Sequence, residues 1–132
     1  MKLHWFDNKR CLLLSGGDDN AVAFTICAWG TAGTPEVDTL IVPRAHAAAV
    51  TGIEVLASPG LRLFKVATTS IDQRVKIWEV HYNATQHGVN GLTVKRKGNY
   101  STAVADVSGL AALDDSLVIV YGVGLDVCRH KG

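Results

Sequence analysis

The chain has 132 residues, 48% hydrophobic and 19% charged, with 13 Lys and Arg against 12 Asp and Glu for a net charge of +1. That balance excludes an intrinsically disordered chain, which needs low hydrophobicity and high net charge, and it disfavours a strongly basic nucleic-acid module. No apolar run approaches the roughly 20 residues that a membrane-spanning helix needs. The first seven residues carry no long apolar stretch of the signal-peptide kind. Cys11, Cys27 and Cys128 are odd in number and form no CxxC pair, so a zinc or redox motif has no support. Small reduced thiols among strand residues, in a cytoplasmic setting and away from membranes, are the expectation. The sequons at Asn83 and Asn99 are read as chance matches in the absence of a secretory signal.

In chain order the pattern is strand and turn. Residues 3–6 form a first strand, and 11–15 a second, short and apolar. Gly16-Gly17-Asp18-Asp19-Asn20 is turn chemistry, because Gly accepts positive φ and Asp and Asn bond their own backbone. Residues 21–26 complete a hairpin. The stretch 30–35 reads as a flexible loop, with Trp5 and Trp29 helping to cover apolar surface, and 39–42 is a fourth strand. Ala45-His46-Ala47-Ala48-Ala49 favours helix on propensity, but it is too short to be stable alone and is expected as a connecting loop.

The unit then recurs. Residues 51–56, 63–69 and 74–80 read as strands, with the turn Ser70-Ile71-Asp72-Gln73 between the last two and a further strand at 91–94. In 74–80, Val75, Ile77 and Glu79 alternate with Arg74, Lys76 and Trp78. A third copy follows: strand 107–113, a hairpin turn at Asp114-Asp115, strand 117–121, the turn Gly122-Val123-Gly124 and strand 125–128. Four, four and three strands at a spacing of about 50 residues point to a repeat architecture.

The middle copy resembles the WD-repeat β-propeller. His46 ends an Ala-His pair where that family has Gly-His, Asp72 lies in the tight turn, and Trp78-Glu79 stands at the Trp-Asp position. The resemblance implies a buried hydrogen-bonded chain of His46, a hydroxyl residue, Asp72 and Trp78. Thr68 and Ser70 are the hydroxyl candidates, with Thr68 preferred. In the first copy Ser15 aligns with Thr68 and Asp19 with Asp72, while Thr25 replaces the Trp. In the third, the glycine turn removes the Asp and Cys128 stands at the Trp position. The implied fold is all-β: an incomplete WD-repeat propeller of about three four-stranded antiparallel blades, divided as 1–43, 44–97 and 98–132, the last lacking a strand.

A closer resemblance rests on Ala45-His46-Ala47-Ala48, Val50-Thr51-Gly52, Ser58-Pro59, Ser70-Ile71-Asp72-Gln73-Arg74 and Trp78. Val104-Ala105-Asp106-Val107 and residues 122–127 continue it. Together they look like the C-terminal end of the WD repeat-containing protein 6 family, whose members are much longer. That resemblance implies a non-catalytic subunit that partners a tRNA 2′-O-ribose methyltransferase in modifying the anticodon wobble nucleotide. No cofactor of its own is implied. The chain would pair with the rest of a larger propeller or with itself. A generic protein-interaction adaptor is the alternative, and a propeller hydrolase or lectin-like domain would need converging polar residues that the sequence does not identify.

His46 and Asp72 as an acid–base or metal pair is the weaker reading, since both fall at blade positions. His4, His81, His87 and His130 are scattered without metal-ligand spacing. No Gly-x-Ser-x-Gly nucleophile motif occurs, and the glycine pairs open no helix that would cradle phosphate. Lys95-Arg96-Lys97 is the one dense basic run, extended by Arg44, Lys65, Arg74 and Lys76. Clustered cations attract RNA phosphates, and Tyr100 offers a ring for base stacking, so Lys95, Arg96, Lys97 and Tyr100 are the candidates for contact with tRNA or a partner. The competing reading is a solvated outer strand whose charges prevent edge-to-edge pairing.

Overall fold

A computed structural model describes residues 1–5, 9–29, 35–60, 62–85 and 88–130. The first sheet is β1 (Lys2–Trp5), β2 (Arg10–Gly16), β3 (Val22–Trp29) and β4 (Pro35–Val42), paired in chain order. The second is β5 (Val50–Gly60), β6 (Leu63–Ser70), β7 (Arg74–Thr85) and β8 (Gly88–Ser101), again in chain order. Every pairing is antiparallel. The central hairpins of the two sheets share one register: Leu13 faces Thr25 in the first, and Val66 faces Trp78 at the same offset in the second. Their turns match as well. Asn20 (φ 67°) and Gln73 (φ 62°) occupy equivalent left-handed positions. The Asn20 and Gln73 amides bond Gly17 O and Ser70 O, both at 3.2 Å.

The third sheet pairs β9 (Ala105–Ala112) with β10 (Leu117–Arg129). Fully extended, β10 would span about 40 Å, yet the amide of His130 donates to Ser116 O at 2.6 Å, so its ends meet. The bend falls at Gly122-Val123-Gly124, where Gly124 takes φ 103° and the pairing with β9 shifts register. β10 is thus two arms of a hairpin, and the described residues form three open antiparallel sheets of four, four and three strands. At the other end of this sheet Asp114 Oδ1 accepts from Ser116 N at 2.8 Å and closes the β9–β10 turn.

The sheets stack face to face with the second in the middle. Between the first and second lie Leu12, Leu14, Phe24, Ile26, Phe64, Val66, Trp78 and Val80. Between the second and third lie Ala67, Val75, Ile77, Val107, Leu110, Val118 and Val120. The middle sheet therefore has two dry faces, which is why β6 is buried almost without alternation. The inner strands converge tightly: a Cβ on Gly52 of β5 would stand 2.9 Å from Leu110 N and 3.0 Å from Gly109 Cα of β9. Only a residue without a side chain permits that approach. On the far face of the first sheet Trp5 and Trp29 stack at 5.3 Å, and Cys11 and Cys27 face each other across β2 and β3. Burial pushes the Cys11 thiol up to about 11, with the neighbouring Cys27 adding to the effect.

The structure also redraws some boundaries. β4 begins at Pro35 and β5 extends to Gly60. β8 runs to Ser101, past the 97–98 division read from the sequence, so Lys95, Arg96 and Lys97 lie inside a strand. Residues 43–48 are turn and bend, with Ala45 and His46 buried. The expected loop at 30–34, Phe6 of the first strand and His87 lie outside the described residues.

Candidate functional site

The middle sheet brings His46, Thr68, Asp72 and Trp78 into one continuous chain of hydrogen bonds. β6 and β7 set Thr68 and Trp78 on the same face, as diagonal neighbours across the pair. The indole Nε1–H of Trp78 donates to Thr68 Oγ1 at 2.8 Å. Thr68 Oγ1 lies 2.8 Å from His46 Nε2, and His46 Nδ1 lies 3.1 Å from Asp72 Oδ2. The Asp72 carboxylate only accepts, so the Nδ1 of His46 is protonated, and the Nε2 of the neutral ring accepts from the Thr68 hydroxyl, whose lone pair takes the Trp78 N–H. Trp78 is 5% exposed, Thr68 0% and His46 1%, so each group depends on its neighbour and not on water.

Asp72 is held by the turn it closes. Arg74 N donates to its Oδ1 at 2.9 Å, and Ala47 N to its Oδ2 at 2.9 Å. Ser70, the other hydroxyl candidate, is buried but serves differently: its Oγ accepts from Asp72 N at 3.1 Å. Burial works against the Asp72 carboxylate, but the bond from Ala47 N, the His46 side chain and the bond from Arg74 N outweigh it and lower its pKa. For His46 burial prevails over the attraction of Asp72, and its pKa falls below the ordinary value.

Thr68, His46 and Asp72 stand in the order of a nucleophile–base–orienter triad. Two observations deprive them of that chemistry. Thr68 is fully buried, so no substrate carbon can reach its oxygen. Its Oγ1 is also already engaged by the Trp78 indole. What the arrangement can do is fix β6, β7, the turn and the 43–49 loop in one pose. The loop is tied to the first sheet too, since His46 N donates to Asn20 O at 3.2 Å. The same bond recurs one step on, where Thr102 N donates to Gln73 O at 3.0 Å.

The other two copies keep only parts of the chain. Asp19 Oδ1 accepts from Ala21 N at 3.2 Å, as Asp72 does from Arg74 N. Ser15 pairs with Ala23 in the register, and Thr25, at the Trp position, shares a 3.0 Å hydroxyl contact with Thr39. In the third copy the structure supplies a link that the sequence reading missed. Thr102 Oγ1 donates to Asp126 Oδ2 at 2.8 Å, and Val104 N donates to Thr102 Oγ1 at 3.3 Å. Thr102 thus stands where His46 stands, and the acid comes after the glycine turn instead of within it. The signal was the pairing of a loop hydroxyl with an acid at nearly the His46–Asp72 separation.

The basic run is exposed but divided by strand alternation. Arg96 lies opposite Trp78 and shares a face with Lys76 and Arg74. Burial, and then the charge of Arg96, lower the Lys76 pKa; its Nζ donates to Ala45 O at 2.5 Å. Lys95 lies opposite Glu79, and Lys97 is close to the same carboxylate, on the other face. The Tyr100 ring is half-buried against the third sheet, and its hydroxyl lies 2.6 Å from His130 Nδ1. Among the described residues no group of three His, Cys, Asp or Glu side chains comes together to hold a metal ion, and no helix is long and apolar enough to cross a membrane. No family model and no curated protein matches the chain.

Proposed function

We propose that the chain is an arc of a WD-repeat propeller acting as a non-catalytic scaffold. The observation that carries this reading is the Trp78–Thr68–His46–Asp72 chain, formed by the residues that the resemblance singles out. Its burial makes it a fastening and not a reaction centre. Three stacked sheets, the first two with one register in their central hairpins, joined by a recurring bond from turn to loop, support the repeat reading. The blades display loops and outer strands at their rims, where partners dock.

The partner follows from the resemblance to the WD repeat-containing protein 6 family: a cytoplasmic tRNA 2′-O-ribose methyltransferase, with tRNA itself as a second contact. The exposed Lys95, Arg96 and Lys97, with Arg74 on the face of Arg96, are cations available to phosphate. Affinity capture with the tagged chain, followed by assay of the eluate for ribose methylation of tRNA, tests the reading. Methyl transfer in the eluate and none by the chain alone is the expected result. Recovery of other proteins without that activity would favour a generic adaptor, and methyl transfer by the purified chain would refute the scaffold.

A further inference from the structure

Within the first sheet the register sets two thiols side by side: Cys11 of β2 and Cys27 of β3 are direct partners in the ladder. Both are free and point to the far face of the sheet, away from the core. We propose that this pair is a two-coordinate site for a soft monovalent cation, Cu(I), held between the two sulfurs under the Trp5–Trp29 stack. Nothing in the site depends on the tRNA partner.

The spacing of the pair decides what can join it. Trp29 N donates to Lys9 O at 2.8 Å, so residues 9 and 29 exchange ladder bonds, and by alternation so do 11 and 27. In such a pair the Cβ atoms stand at the wide end of about 4.5–5.5 Å. A disulfide needs them at about 3.8 Å, so the strands would have to close together to form one. Two metal–sulfur bonds of about 2.3 Å laid in line hold the sulfurs about 4.6 Å apart, which the ladder provides without that closure.

The donors select the ion. Thiolates take soft cations, Cu(I) among them. A structural zinc needs four ligands, and among the described residues no third His, Cys, Asp or Glu joins the pair. A monovalent ion that accepts two ligands in line is the one these sulfurs can saturate. Binding replaces both thiol protons: Cu(I) and two S–H groups give a bis-thiolate copper anion and two protons. The empty pair resists losing them. Burial holds the Cys11 thiol up at about 11, and the nearness of Cys27 adds to this through charge repulsion and a hydrogen bond. A cation between the sulfurs cancels the repulsion and removes the need for the proton.

The surroundings fit an ion of this kind. Trp5 is the partner of Cys11 on the β1 side, and Trp29 follows Cys27 by two residues on the same face. Their rings stack at 5.3 Å. Cys11 is 2% exposed although it lies on the outward face, so the two indoles cover it. They exclude water from the sulfurs and offer π-faces to a cation. Cys27 is only half-buried, which leaves a way in.

The test titrates the whole chain, under argon, into Cu(I) presented as its coloured bicinchoninate complex. The chain should withdraw one Cu(I), its indole emission should be quenched, and X-ray absorption at the copper edge should show two sulfur neighbours. An excess of Zn(II) should not displace the copper. Loss of an outer-shell partner alone costs about 10–100-fold in metal affinity, so Cys27→Ser and Cys11→Ala, each checked for native circular dichroism, should weaken binding by more than about 100-fold. Cys128→Ser, on the third sheet, should bind as the native chain does. Failure to withdraw Cu(I), unchanged affinity in Cys27→Ser, lost affinity in Cys128→Ser, or displacement by Zn(II) would overturn the proposal. So would more than two sulfurs around the copper, which would assign the ion to a contact between copies, and closure of the pair to a disulfide in air by a chain that takes no Cu(I).

Discussion

Replacing Thr68 with Val removes one oxygen and almost no volume. The hydroxyl serves two buried partners at once: it accepts from Trp78 Nε1 and donates to His46 Nε2, each at 2.8 Å. Each orphaned buried group costs about 1–3 kcal/mol. The added methyl recovers up to about 1 kcal/mol through burial of apolar area. The net loss should be about 2–4 kcal/mol, a large part of the roughly 5–15 kcal/mol that holds a domain together. Urea denaturation followed by tryptophan fluorescence would read it as a lower midpoint at unchanged slope. Thr68→Ser keeps the oxygen and should cost only about 1 kcal/mol, the worth of one methyl group. Trp78→Phe should cost less in the Thr68→Val background than in the native chain, because the indole donor has by then lost its acceptor. A Val variant within about 0.5 kcal/mol of the native chain would refute the shared-oxygen account, as would a Ser variant equally damaged.

Other outcomes follow from the same geometry. Asp72→Ala strips His46 Nδ1 of its acceptor and the Ala47 and Arg74 amides of theirs, and should destabilise the chain by about 1–3 kcal/mol; an unchanged denaturation midpoint would count against the buried chain. Gly52→Val would drive a side chain into the backbone of β9, where Leu110 N and Gly109 Cα approach; hydrogen exchange should quicken across β5 and β9 first, and uniform protection would contradict the close approach. Burial lowers the pKa of His46 and of His130, so the unfolded chain binds their protons more readily than the folded one. Their contribution is complete above 6.5 and is lost as the pH falls below it, with Asp72 adding a further loss below 3.8. A urea midpoint that stayed level or rose between pH 7 and pH 5 would contradict this sign.

Much of this architecture is legible in the sequence because turns and apolar runs state it twice. Gly16–Asn20 and Ser70–Gln73 mark the same left-handed turn, and beside them Leu14, Val22 and Phe24 are matched by the apolar Ala67, Val75 and Ile77. Thr68 is legible too, since it alternates onto the face of Trp78. The outer strands are harder to read. β8 contains Lys95, Arg96, Lys97 and Gly98, and its charges conceal a ladder that is held by backbone bonds with β7. The β10 side of the site is hidden for another reason. Thr102 and Asp126 are ordinary loop and strand residues until the hairpin returns the acid to the loop. Tyr100 looks free in the sequence because nothing local announces His130, its partner 30 residues on.

The two bonds from Asn20 O and Gln73 O to the next loop amide have a consequence for how the copies diverge. Both carbonyls belong to residues in left-handed conformation, so each of these sheets is joined to the following loop through the backbone of its turn. Side chains fill the space between the sheets that these bonds join. A copy can then lose its tryptophan, as at Thr25, or its histidine, as at Thr102, while its neighbour stays in place. The backbone bond between turn and loop persists where those fastening residues differ.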